Sequence, residues 1–178
     1  MKATCRTFAL LACLLPAAGI TAEPPEVRSV TTLDLARYVG KWYEIAAFPM
    51  FFQRNCLGDT TAEYALRADG EVTVDNRCRT ESGTDRAIGR AWVPDGKDSA
   101  RLKVSFFWPF RSDYWVIGLD EDYRWAVVGN PNRKYLWILS RTPQLPEAEL
   151  ARAQAAARGQ GYDLGALKFT AQPGAASR

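Results

Sequence analysis

The sequence predicts an all-β fold: eight antiparallel strands in up-and-down order, forming a barrel or a sandwich, followed by one helix and a short final strand. Three observations carry this. Strand-like runs rich in β-branched and aromatic residues recur at close spacing between residues 42 and 141. Turn residues separate them, Asp69-Gly70 and Pro94-Asp95-Gly96 being clear hairpin signals. Strong helix formers gather only after residue 146, so strands and helices do not alternate.

Taken in order, residues 23–32, with Pro24 and Pro25, read as an extended arm, and 33–38 as one helical turn before Gly40. The predicted strands are 42–48, 60–67, 71–79, 85–93, 100–108, 114–119, 124–129 and 135–141. Between the first two lies an irregular loop carrying Phe51 and Phe52. The helix spans 146–158, opened by Pro146 and closed by Gly159, with Leu145, Leu150, Ala153 and Ala157 as its apolar stripe. A last strand at 167–170 lies against the barrel edge, and 173–178 form a tail.

The first 22 residues read as an export signal: Lys2 and Arg6, an apolar stretch to Ile20 that is too short to span a bilayer, and a small-residue cleavage site at Ala22. Cleavage leaves 156 of the 178 residues, enough for one hydrophobic core, with 21 basic against 20 acidic side chains. Near-neutral charge without a basic run gives no reason to expect nucleic acid. Of the four cysteines, Cys5 and Cys13 fall in the signal. Cys56 and Cys78 remain, a disulfide in an exported chain or else two free thiols. The sequence has no histidine. That excludes Ser-His, Cys-His and His-metal chemistry, and no catalytic residue, metal ligand or cofactor is assigned.

Two segments then stand out. Gly40-Lys41-Trp42-Tyr43-Glu44 puts a flexible Gly before a Trp at the head of the first strand, and Tyr135-Leu136-Trp137-Ile138-Leu139-Ser140-Arg141 ends the last strand in an Arg. An Arg stacked on a Trp face contributes ~2 kcal/mol when desolvated. Such a pair would tie the first strand to the last and floor a closed barrel. With Lys103-Val104-Ser105-Phe106-Phe107 and Asp113-Tyr114-Trp115-Val116-Ile117-Gly118-Leu119-Asp120, these segments resemble the lipocalin family, and specifically its bacterial outer-membrane members, relatives of apolipoprotein D. The resemblance covers nearly all of the mature chain, with the domain at 33–172. It implies an eight-stranded up-and-down lipocalin barrel whose floor is made by Gly40, Trp42 and Arg141. It implies a fatty acid or lysophospholipid ligand, held for storage or transport in outer-membrane maintenance under stress. Relatives are often lipid-anchored, and Leu10-Leu11-Ala12-Cys13 resembles a lipobox. The apolar run continues past Cys13, however, so cleavage near Ala22 in a periplasmic or outer-membrane protein is the preferred reading.

Period-two alternation assigns the cup-facing side chains. If Arg141 reaches Trp42, then Leu139, Trp137 and Tyr135 share its face. Glu44, Ala46 and Phe48 follow Trp42. Ala62, Tyr64 and Leu66 face in, as do Val72, Val74 and Asn76, and Leu102, Val104 and Phe106. In the sixth strand Tyr114, Val116 and Gly118 are the inward set, although Trp115 and Ile117 are equally apolar. The candidate ligand-binding residues are therefore Ala46, Phe48, Tyr64, Val74, Asn76, Val104, Phe106, Tyr114 and Trp137. These aromatics either line a cup or fill a dry core, since an eight-stranded barrel is just wide enough for either. Glu44 pairs with Arg141 or a tyrosine, or turns to water. The run Phe106-Phe107-Trp108-Pro109-Phe110 is a membrane-surface tip, a homodimer contact or a cover for the mouth.

Overall fold

The computed structural model describes residues 25–94, 96 and 98–174, so the predicted export signal, Cys5, Cys13 and the last four residues of the tail lie outside the described residues. After a helical turn, α1 (Leu35–Tyr38), come eight strands: β1 (Gly40–Ala47), β2 (Gly58–Leu66), β3 (Val72–Thr80), β4 (Gly83–Trp92), β5 (Arg101–Phe107), β6 (Phe110–Leu119), β7 (Trp125–Gly129) and β8 (Leu136–Ser140). Helix α2 (Glu147–Gly159) and a two-residue strand β9 (Lys168–Phe169) follow. Each strand pairs antiparallel with the next, and β1 pairs with both β2 and β8, so the sheet closes. The fold is an antiparallel up-and-down barrel; the sandwich alternative falls. β6 begins earlier than predicted, because Phe107 pairs directly with Phe110 across a turn at Trp108-Pro109.

Asp34 caps α1, accepting from the backbone N–H of Ala36. In α2, Glu149 near the buried start forms an ion pair with Arg124 at 2.6 Å, and Arg124 also holds Asp120. The predicted stripe of α2 is buried, and Leu145 joins it. Cys56 and Cys78 are disulfide-bonded, tying the β1–β2 loop to β3. Closing a loop of 22 residues contributes roughly 3 kcal/mol in the chain-entropy account.

The core has two parts. One lies inside the barrel at its closed end, around Trp42, Tyr38, Val72, Val74, Leu102, Val116 and Leu139. The other lies outside, between the wall and α2, around Ile45, Ala46, Ile117, Val127, Ile138, Leu150 and Ala153. The N-terminal arm serves both: Val27 enters the outer core, and the N–H of Val30 donates to the carbonyl of Val116. Because α2 covers this wall, strands beneath it are apolar on both faces, and β7 is buried at all five residues.

A lipid-sized cup above an arginine-capped floor

The floor forms where the sequence places it. The Arg141 guanidinium lies 3.7 Å from the Trp42 ring centroid. It donates to the carbonyls of Lys41, Arg37 and Tyr38 at 3.0, 2.7 and 3.1 Å. Trp42 donates from Nε1 to the Tyr38 carbonyl at 2.8 Å. Gly40 makes room, with φ +95° and an imagined Cβ 3.4 Å from the arginine. That conformation favours glycine, which accounts for the Gly-x-Trp pattern.

Above the floor the barrel is hollow, enclosing about 690 Å³. The dry-core alternative fails. Tyr64, Val74, Asn76, Val104, Phe106, Tyr114 and Trp137 line this space together, as do Ala62, Tyr135 and Leu139. At its base the hydroxyls of Tyr38, Tyr114 and Tyr64 form a chain, at 2.7 and 2.9 Å. Burial pushes the Tyr64 hydroxyl up to about 12 and holds the other two well above 10, so all three stay neutral. Two bonds commit two of the three O–H protons, leaving one donor for another acceptor.

Two expected lining residues lie elsewhere. Ala46 is buried in the outer core, paired with β9, and Phe48 packs beside Tyr162, their rings 6.1 Å apart. The cause is a bulge. Glu44 pairs with Leu139 but Ala46 with Ile138, so an extra residue in β1 inverts the inside–outside alternation beyond Glu44. The same happens in β6 between Val116 and Gly118. Gly118 therefore faces α2 instead of the cup, its imagined Cβ only 2.9 Å from the Ala156 methyl.

Glu44 itself faces the cup, but neither arginine nor tyrosine holds it. It accepts from Thr170 Oγ1 at 2.6 Å and from Gln53 Nε2 at 2.9 Å. Burial raises its carboxyl above the ordinary 4.5. The folded protein thus keeps a proton that the unfolded chain releases, and stability falls as pH rises from 4.5 through the folded-state value. Glu44→Gln should flatten that fall in urea titrations between pH 4.5 and neutrality; an unchanged slope would show that Glu44 is not its source.

Several lining residues were not assigned from the sequence. Ala87 and Val128 belong to strands given no facing, although their partners Asn76 and Trp137 carry the phase. Phe51, Phe52 and Gln53 come from the β1–β2 loop, where no period applies. At the mouth, Phe51 and Phe52 are 73% and 54% exposed, and Phe107, Trp108 and Phe110 of the β5–β6 hairpin are 74%, 65% and 71% exposed. The hairpin tip therefore rims the cup without sealing it.

Comparison with known proteins agrees with this geometry. A family model described as a lipocalin-like domain matches residues 33–172. Outer membrane lipoprotein Blc of Citrobacter freundii is 39% identical over 177 residues, covering 98% of this chain and 97% of that protein. Apolipoprotein D of Bos taurus is 35% identical over 122 residues, or 64% of this chain and 63% of the relative. Among solved structures, insecticyanin from the tobacco hornworm Manduca sexta has a TM-score of 0.69 at 20% identity, covering 85% of this chain and 87% of that one; this likeness concerns the fold alone.

Proposed function

This chain belongs to the lipocalin family, and from that membership we propose that it carries a fatty acid or lysophospholipid in its cup, for storage or transport of lipid in maintenance of the cell envelope under stress. The observation that carries this is the open 690 Å³ cavity walled by Trp137, Tyr135, Val104, Val74 and Leu139. Burying a tail contributes ~0.8 kcal/mol per methylene. About ten carbons then offset association costs of several kcal/mol. The neutral tyrosines at the base keep charge out of the tail's path.

Relatives named as outer membrane lipoproteins support an exported protein of the periplasm or outer membrane. The exposed aromatics at the mouth suit a membrane surface from which a tail is taken up, their rings entering the interface as the cup opens onto it. Catalysis is not part of this reading: the Cys56–Cys78 bond leaves neither sulfur as a thiolate.

Native mass spectrometry of protein purified from its own host tests the reading. A co-purifying lipid mass is expected. An empty dimer would instead assign the aromatic rim to self-association and overturn the carrier.

A further inference from the structure

Beside the cup lies a second cavity of about 390 Å³. It exists because β1 and β2 part company. Their ladder ends at Tyr43 and Thr61, and β9 takes the vacated edge of β1 at Ala46 and Ala47. The chain then straps the gap shut: the Ala171 carbonyl accepts from the N–H of Asp59 at 2.7 Å, and Gln172 Nε2 donates to the carbonyls of Glu44 and Thr60 at 2.9 and 2.8 Å. The chamber lies between this strap and the β1–β2 loop. It shares Glu44, Gln53 and Thr60 with the cup, so the two spaces adjoin there.

Most cations around the cup are paired, Arg111 on its rim excepted. Arg77 and Arg86 share Asp75, Arg79 is held by Asp59, and Lys103 by Asp113. Arg54 and Lys168 line the chamber with no carboxylate partner among the described residues. Glu44 on the shared wall forms no ion pair with either of them, its two oxygens accepting from Gln53 and Thr170 instead. Two unpaired cations at one cavity next to a tail site form the complement of an anionic headgroup.

We propose that the side chamber receives the phosphate or carboxylate headgroup of an amphiphile whose tail occupies the cup, with Arg54 and Lys168 as its counter-ions. This rests on the reading of the cup as a tail site.

The test compares dodecyl phosphate with dodecanol, which offers the same tail without charge, by titration against the mature chain. Arg54→Gln with Lys168→Gln should weaken dodecyl phosphate about tenfold and leave dodecanol unchanged. The charge-keeping pair Arg54→Lys and Lys168→Arg should retain the phosphate affinity. Unchanged phosphate affinity in the neutral pair would overturn the assignment. An equal loss in Arg111→Gln, an unpaired cation elsewhere on the mouth, would also overturn it by showing diffuse attraction. Millimolar inorganic phosphate should leave dodecyl phosphate bound; displacement by phosphate alone would make the chamber a free-anion site. If dodecanol fails to bind the unaltered protein, it is the cup reading that falls, a result separable from all the others.

Discussion

Replacing Trp42 with Ala should destabilise the protein by about 4 kcal/mol, the middle of the range for deleting a buried aromatic. The indole is fully buried, with 0% of its surface exposed, and three interactions depend on it. Its Nε1 donates to the Tyr38 carbonyl, its face carries the Arg141 guanidinium, and its ring packs on Tyr38 with centroids 5.1 Å apart. Removing it leaves a void beneath a partly desolvated cation that must still bridge the carbonyls of Arg37, Tyr38 and Lys41. Total stability of a single domain is about 5–15 kcal/mol, so the loss takes a large share of it. Urea unfolding should show a lower midpoint with an unaltered slope. Trp42→Phe, which keeps a ring under the guanidinium but loses the donor, should lose less than half as much. A Trp42→Ala loss under 1 kcal/mol would mean that Arg141, not the stack, closes the floor.

That floor was legible because its chemistry is local. A glycine with positive φ, a tryptophan two residues on and an arginine ending the last strand each advertise themselves in the sequence, and the barrel needs only that they meet. Strand order was legible for a similar reason, since turn residues punctuate short alternating runs. Facing was most legible where one side of a strand is wet. In β2, β3 and β5 polar residues mark the outside, and the assigned Tyr64, Val74, Asn76, Val104 and Phe106 all reach the cup. Under α2 that signal vanishes, because both faces are apolar, and a single inserted residue reverses the phase without changing composition. Ala46 and Gly118 were misplaced on those grounds. Phe48 was lost to the same bulge. The partners of Glu44 were hidden differently: Gln53 sits in an irregular loop, and Thr170 lies 126 residues away on the strap. No pattern within one strand encodes such a meeting.

The contrast between the two ends of the barrel gives the second large effect. Trp137→Ala should weaken fatty-acid affinity by about thirtyfold, near 2 kcal/mol, while costing the fold only about 1 kcal/mol. Trp137 sits on β8, opposite Val128 and Ala47, and its ring stacks on Tyr135 with centroids 5.9 Å apart. Unlike Trp42 it borders space that is already open, so its removal widens the cup instead of creating a sealed void. The cavity term that makes core deletions costly is therefore mostly absent. What disappears is a flat apolar wall against which a tail loses contact with water, and that loss registers only with ligand present. Titration with a fluorescent fatty acid, beside urea unfolding of the empty protein, separates the two quantities. Trp42→Ala should move mainly the second and Trp137→Ala mainly the first. Unaltered affinity in a folded Trp137→Ala protein would remove Trp137 from the binding wall. Equal losses in both measurements would make it a core residue, because only a ring that waits for a guest can matter more to binding than to folding.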